Sequence, residues 1–247
     1  MRPAPLLFDA LFDCAFAGAA VTGAAAMAVA AGYAAVPAVA IPLYAGVCAF
    51  ILLLLKDHGK QRRFGWANRV TLARACIVAL LAGFALDGGR LGEAGRLALS
   101  LAALAALLLD GVDGRLARRR GTASAFGARF DMEVDALTVL VLTALVWRTG
   151  QAGAWVLLLG AARYAFVVAG MAFPVLAGEL APSRRRKAIC GITVGALVPA
   201  LLPAVPPAVA GGLCAAAGLL LMYSFGMDCI LLVRGGPTER RPASPVT

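Results

Sequence analysis

Histidine is almost absent from this chain. His58 is the only one in 247 residues, and it sits in the charged stretch from Lys56 to Arg63. That excludes multi-histidine metal sites and argues against a Ser-His-Asp catalytic arrangement. Paired cysteines are also missing. Cys14, Cys48, Cys76, Cys190, Cys214 and Cys229 stand singly in apolar stretches with no CxxC among them, so neither a zinc site nor a disulfide framework is suggested. They read as small buried hydrophobes. Met1 to Asp13 lacks the basic n-region of a secretory leader and carries Asp9 and Asp13 instead, so the first apolar segment reads as a retained span. Acids are scarce too: 13 Asp and Glu stand against 23 Lys and Arg.

What is abundant is apolar. The chain is 62% hydrophobic with a mean hydropathy of +0.86, which marks a polytopic membrane protein. The net charge of +10 then reads as loop bias and attraction to anionic headgroups, with no nucleic-acid partner implied. A span needs about 20 mostly apolar residues. Eight runs qualify, at roughly 14–34, 36–55, 69–86, 97–117, 127–147, 152–176, 187–204 and 208–233. The expected fold is an all-α polytopic membrane protein of eight spans. The first two runs carry no intramembrane charge and end at the charged linker. Residues 1–63 are therefore expected to form a two-helix extension and linker, 64–234 a six-span unit, and 235–247 a disordered polar tail.

Basic residues cluster between runs two and three (Lys56, Lys60, Arg62, Arg63), four and five (Arg115, Arg118, Arg119, Arg120), six and seven (Arg184, Arg185, Arg186, Lys187), and after run eight (Arg234, Arg240, Arg241). These loops fall on one side together with both termini, and the positive-inside bias makes that side cytoplasmic. Trp66, Trp147 and Trp155 fall near run ends, where interfacial tryptophan is expected.

Against this background four acids stand out: Asp110 and Asp113 near the end of the fourth run, Asp131 and Asp135 near the start of the fifth. Carboxylates near hydrocarbon are costly and mark a functional site by default. At 100° per residue, Asp110 and Asp113 lie about 60° apart on their helix, and Asp131 and Asp135 about 40° apart on theirs. Each helix therefore presents two acids on one face, and the short connection makes the helices antiparallel neighbours. Four carboxylates facing one space need positive charge between them, and oxygen-only ligation points to one or two hard divalent ions of the Mg²⁺ kind. Asp110 lies eight residues before Arg118, so about 12 Å deeper in the membrane. Gly114, Ala117 and Gly127 are small enough to let helices approach closely or leave room for a ring or phosphate. Arg118 has the fork that suits phosphate oxygens. Glu133 points about 200° away from Asp131 and stays outside the site. Two other readings of the acids are a helix-end salt-bridge network with neighbouring arginines and an ion or proton pathway in a transporter.

The string from Asp110 to Asp135, Asp-x2-Asp-Gly-x2-Ala-Arg-x8-Gly-x3-Asp-x3-Asp, resembles the signature of the CDP-alcohol phosphotransferase (CDP-alcohol phosphatidyltransferase) family at every fixed position. Eight fixed residues at roughly one in twenty each put chance agreement on the order of 10⁻¹⁰ per position, so the match is specific. Upstream, Asn68-x2-Thr71-x2-Arg74 resembles the family's stretch opening its first core helix, with Ala67 where many relatives carry proline. The likeness covers about residues 66–233 and leaves out the first two runs.

The resemblance implies a six-helix core, often dimeric, with a metal site open to the cytoplasm. It implies transfer of a substituted phosphate from a CDP-linked donor to an acceptor alcohol with release of CMP. Carried over by position, Asp110, Asp113 and Asp131 are expected metal ligands for Mg²⁺ or Mn²⁺, two ions in all. Asp135 is expected at the metal and as general base. Asp113, Gly114, Ala117, Arg118 and Gly127 are expected at the nucleotide. Asn68 and Thr71 are candidate nucleotide contacts, the alternative being that Asn68 caps its helix and Thr71 packs. The implied partners are a CDP-linked lipid donor, CDP-diacylglycerol before a soluble CDP-alcohol, a small alcohol acceptor, membrane lipids and a second copy of the chain. The implied setting is a bacterial inner membrane.

The acceptor must be read elsewhere. Arg163 sits mid-span in the sixth run and is expected to meet either an acceptor phosphate or the aspartates. Arg184 and Arg185 open the seventh run, where they serve topology or bind an acceptor phosphate. Together they favour a phosphorylated polyol, such as glycerol 3-phosphate or an inositol phosphate, over serine.

Overall fold

The computed structural model describes residues 4–57, 64–120, 124–173 and 183–234, without the side chains of 4–5, 56–57, 112–120, 184 and 233–234. The expected tail, 235–247, and most of the charged linker lie outside the described residues. Eight α-helices follow one another: α1 (Ala4–Ala30), α2 (Val36–Asp57), α3 (Trp66–Leu86), α4 (Glu93–Arg120), α5 (Ala125–Arg148), α6 (Leu157–Ala172), α7 (Arg184–Ala200) and α8 (Pro207–Arg234). There is no strand among the described residues.

Six of these segments are long and apolar enough to cross a membrane: α1, α2, α3, α4, α6 with the turn before it, and α8. The other two fall short for a reason that bears on function. The first three turns of α5 carry Arg129, Asp131, Glu133 and Asp135, and α7 has only 17 residues and opens on Arg184-Arg185-Arg186-Lys187. Large apolar side chains point outward along the bundle, with Phe16 75%, Met171 82% and Leu219 72% exposed, a surface suited to hydrocarbon and not to water. The first helix starts at Ala4, ahead of the expected span at 14. Asp13 lies inside it and is held by Arg69 of α3, Oδ2 to Nε at 2.7 Å, so an acid that looked like a pre-membrane residue has its counter-ion on another helix.

Successive helices alternate in direction. Arg74, near the start of α3, meets Asp131 near the start of α5, and Arg148 at the end of α5 donates to the carbonyls of Ala85 and Leu86 at the end of α3. Helix α3 is central and packs against α1, α2, α4 and α5, while α5 also packs against α6 and α7, and α7 against α8. The α2–α3 approach is close: a Cβ at Gly83 would sit 2.7 Å from the carbonyl oxygen of Val36. Along α3 and α5 two apolar clusters succeed each other. Leu72, Ala75, Phe126 and Phe130 pack with α1 and α2. Leu81, Leu142, Leu145 and Leu197 pack with α4, α7 and α8.

Candidate active site and metal centre

Three helix ends build the site. Before α3, Gly65 takes φ +81°, a left-handed turn that only glycine adopts easily, and the helix then carries Asn68, Thr71 and Arg74 inward over two turns. Before α5, Ser124 stands at the N-cap and its Oγ accepts from the Gly127 amide at 2.9 Å, as a capping serine should. Asp131 and Asp135 follow at one-turn steps. Helix α4 runs the opposite way and brings Asp110 to the same level.

One oxygen each of Asp110, Asp131 and Asp135 lie within 4.8 Å of one another. The three carboxylates are half-buried, 18–22% exposed. Between them sits Arg74, its side chain 3% exposed. Its Nη1 is 2.7 Å from Asp131 Oδ1 and 3.1 Å from Asp110 Oδ1, and its Nη2 is 2.5 Å from Asp135 Oδ1. Lys187 of α7 reaches Asp131 Oδ2 at 3.4 Å. Among the described side chains, three acids therefore meet two cations. Asp110 Oδ1 is buried and accepts no hydrogen bond, and Arg74 approaches it only at salt-bridge distance. A cavity of about 10 Å³ lies alongside, lined by Arg74, Ala106, Asp110, Asp135, Thr138 and Cys190, which is at most the space of one water. Three hard oxygen donors on three converging positions, one of them short of a partner, fit a divalent cation.

The expected nucleotide residues are partly brought together. Asn68 and Thr71 are buried, 7% and 3% exposed. Asn68 is not the cap, since Gly65 holds that position. Its amide donates to the Phe64 carbonyl, and Thr71 Oγ1 donates to the Ala67 carbonyl at 3.1 Å. The Asn68 side chain faces Gly127 so closely that a Cβ at 127 would lie 2.7 Å from its Oδ1. A side chain at 127 would therefore push the Asn68 amide aside. Asp113, Gly114, Ala117 and Arg118 fall on the helical backbone of α4, and their side chains lie outside the described residues.

The acceptor candidates separate. Arg163 does not meet the aspartates: its Nη2 is 2.5 Å from Glu133 Oε1, and Glu133 lines a cavity of about 260 Å³ with Phe130, Val134 and Tyr164. Arg184 is helical with its side chain outside the described residues. Arg185 Nη2 lies 2.5 Å from Asp228 Oδ1 of α8, and Arg186 Nη1 reaches the same oxygen at 3.4 Å. Asp228 is 2% exposed. Arg185 stacks over Tyr223 at 5.9 Å and keeps a buried Nη1 without a hydrogen-bond partner.

Sequence reasoning gave no role to Arg74, Lys187 or Asp228. The signal for two of them was present: Arg74 and Asp228 are charges inside apolar runs, the same mark that singled out Arg163.

Fold and site together define a polytopic helical membrane protein with a cluster of three carboxylates at one end of its bundle that could hold a cation. The sequence model of the CDP-alcohol phosphatidyltransferase family matches residues 64–226, about two-thirds of the chain, and the chain belongs to that family. None of the curated proteins compared with it matches the chain. Family membership makes it a transferase of substituted phosphate groups, acting between a CDP-alcohol and an alcohol acceptor.

Proposed function

We propose that the chain transfers a phosphatidyl group from CDP-diacylglycerol to a phosphorylated polyol such as glycerol 3-phosphate, with release of CMP. The observation that supports the acceptor is the guanidinium of Arg185 at the start of α7, whose Nη1 is buried without a hydrogen-bond partner. One buried carboxylate, Asp228, faces two guanidiniums, Arg185 and Arg186. They stand on a helix N-terminus that the Ser183 side chain does not cap, where amide groups and helix dipole also favour an anion. Lys187, on the same turn, touches Asp131. Arg185 and Arg186 turn toward α8 while Lys187 turns toward Asp131, so the proposal has the acceptor phosphate approach the carboxylates from the α8 side of α7. Arg184 belongs to the same basic turn, and Arg163, paired with Glu133, is the weaker acceptor candidate.

Asp110, Asp131 and Asp135, with Asp113 as fourth ligand, would hold two Mg²⁺ or Mn²⁺ ions. Such ions polarise the attacked phosphorus and stabilise the departing CMP. Asp135 takes the proton from the acceptor hydroxyl. The hydroxyl oxygen forms the new bond to phosphorus as the bond to CMP breaks, so no covalent enzyme intermediate is needed. Asn68, Thr71, Gly114, Ala117, Arg118 and Gly127 cradle the cytidine and pyrophosphate, and the Asn68–Gly127 approach supports that grouping. The same proposal includes residues 64–234 as the catalytic unit behind a 1–63 extension, a site and termini facing the cytoplasm of a bacterial cell, on the strength of the basic loops, and the homodimer implied by the family.

An acceptor screen tests the reading. Purified protein in lipid nanodiscs is given CDP-diacylglycerol with glycerol 3-phosphate, an inositol phosphate or serine, and CMP and product lipids are followed by mass spectrometry. Divalent-dependent CMP release with a phosphorylated polyol is expected. Product formed with serine alone would overturn the acceptor. No reaction with any CDP-alcohol, alongside ion flux that depends on Asp110, would turn the reading to a transporter.

A further inference from the structure

We propose that Arg74 is a built-in counter-ion that holds the carboxylates in the metal-free protein and gives them up to a divalent cation. The inference rests on the reading of Asp110, Asp131 and Asp135 as the metal centre. Its own evidence is the position of one guanidinium. Arg74 contacts all three carboxylates, at 3.1, 2.7 and 2.5 Å, and the space left beside it holds at most one water. Its contacts are Oδ1 atoms of the residues whose oxygens converge within 4.8 Å. Arg74 therefore stands where a ligated cation would draw its charge from.

The arrangement answers a physical problem. Three half-buried carboxylates this close repel one another strongly in a low-dielectric setting. A metal-free chain in the membrane needs a cation there that cannot be lost. Arginine keeps its charge at every working pH and its fork spans several oxygens at once, which lysine cannot match. The cost falls on the metal: a divalent ion that takes the Oδ1 atoms displaces Arg74 from them, so Arg74 weakens divalent affinity while it stabilises the protein without metal.

The test compares the wild type with Arg74→Gln and Arg74→Lys in detergent, using Mn²⁺ as the probe. Mn²⁺ binding is read from the loss of the free-ion electron paramagnetic resonance signal, and unfolding is followed with EDTA and with Mn²⁺. Arg74→Gln is expected to bind Mn²⁺ about tenfold or more tightly than wild type, with Arg74→Lys between. The melting temperature of Arg74→Gln in EDTA should fall below that of wild type and recover with Mn²⁺. A variant that unfolds in EDTA and is rescued by Mn²⁺ supports the proposal. Equal or weaker Mn²⁺ affinity in both variants, or unfolding that Mn²⁺ does not rescue, overturns it and leaves the metal centre standing. Wild-type protein that binds no Mn²⁺ removes the metal centre itself.

Discussion

Two charged clusters within this bundle are built around opposite signs. At the meeting of α3, α4 and α5, three carboxylates among the described side chains face Arg74 and Lys187. On the same first turn of α7 that carries Lys187, but facing α8, Arg185 and Arg186 meet the buried carboxylate of Asp228. The first cluster is drawn around convergent carboxylate oxygens and suits a cation; the second offers the buried Arg185 Nη1, which has no hydrogen-bond partner, and suits an anion. A third pair, Glu133 with Arg163, joins one acid to one base, with Arg163 Nε buried and without a hydrogen-bond partner. In a membrane, where isolated charge is costly, the way a charge is partnered is a better guide to its ligand than the mere presence of charge.

The comparison breaks most visibly at the acidic cluster. Asp135→Asn removes both a cation oxygen and the proposed base, and turnover should fall by about 10²–10⁴-fold. CMP release measures this, with nucleotide binding by calorimetry as the check that the pocket still forms. Retained turnover would take the base away from Asp135. The basic cluster should respond differently. Arg185→Gln is expected to raise the acceptor KM by about 10–100-fold, the worth of one charged hydrogen bond, with the donor KM little changed. Asp228→Asn acts in the same sense but less, because the arginines remain while their common anchor is lost. A rise in donor KM instead would assign the basic cluster to the CDP-lipid. The Glu133–Arg163 pair gives the smallest effect. Glu133→Gln and Arg163→Gln, alone and together, should leave the acceptor KM within about twofold and show a coupling of about 1 kcal/mol in stability. A large KM effect from Arg163→Gln alone would return that arginine to the acceptor.

The helices and the acidic cluster were legible in the sequence because both depend on local spacing: apolar runs of span length, and acids at three- and four-residue steps. Cross-helix partners were not. Nothing in the spacing around Asp13 announces Arg69, 56 residues away, the partner that Asp13 finds inside a helix beginning ten residues ahead of its apolar run. Arg74 was visible as part of the Asn68–Thr71 stretch, yet its meaning depends on α4 and α5 folding back to enclose it. The angle of Glu133 on its helix sets it apart from Asp131 in the sequence, but only packing shows that α6 supplies its arginine.

The contact of Gly83 with Val36 bears on modularity. The family match begins at residue 64, which invites the view that α1 and α2 are a detachable addition. The packing has no seam there: Val36, Ala40, Ile51 and Leu55 share one apolar cluster with Phe64, Leu72, Ala75, Phe126 and Phe130. The helix that carries Asn68, Thr71 and Arg74 rests its other side on the hairpin. A gene fragment cut at the family boundary would expose that side to lipid and lose the glycine-tight docking that sets the tilt of α3. The unit of inheritance and the unit of folding therefore have different edges in this protein, and a transplant of the catalytic segment should carry its first two helices with it.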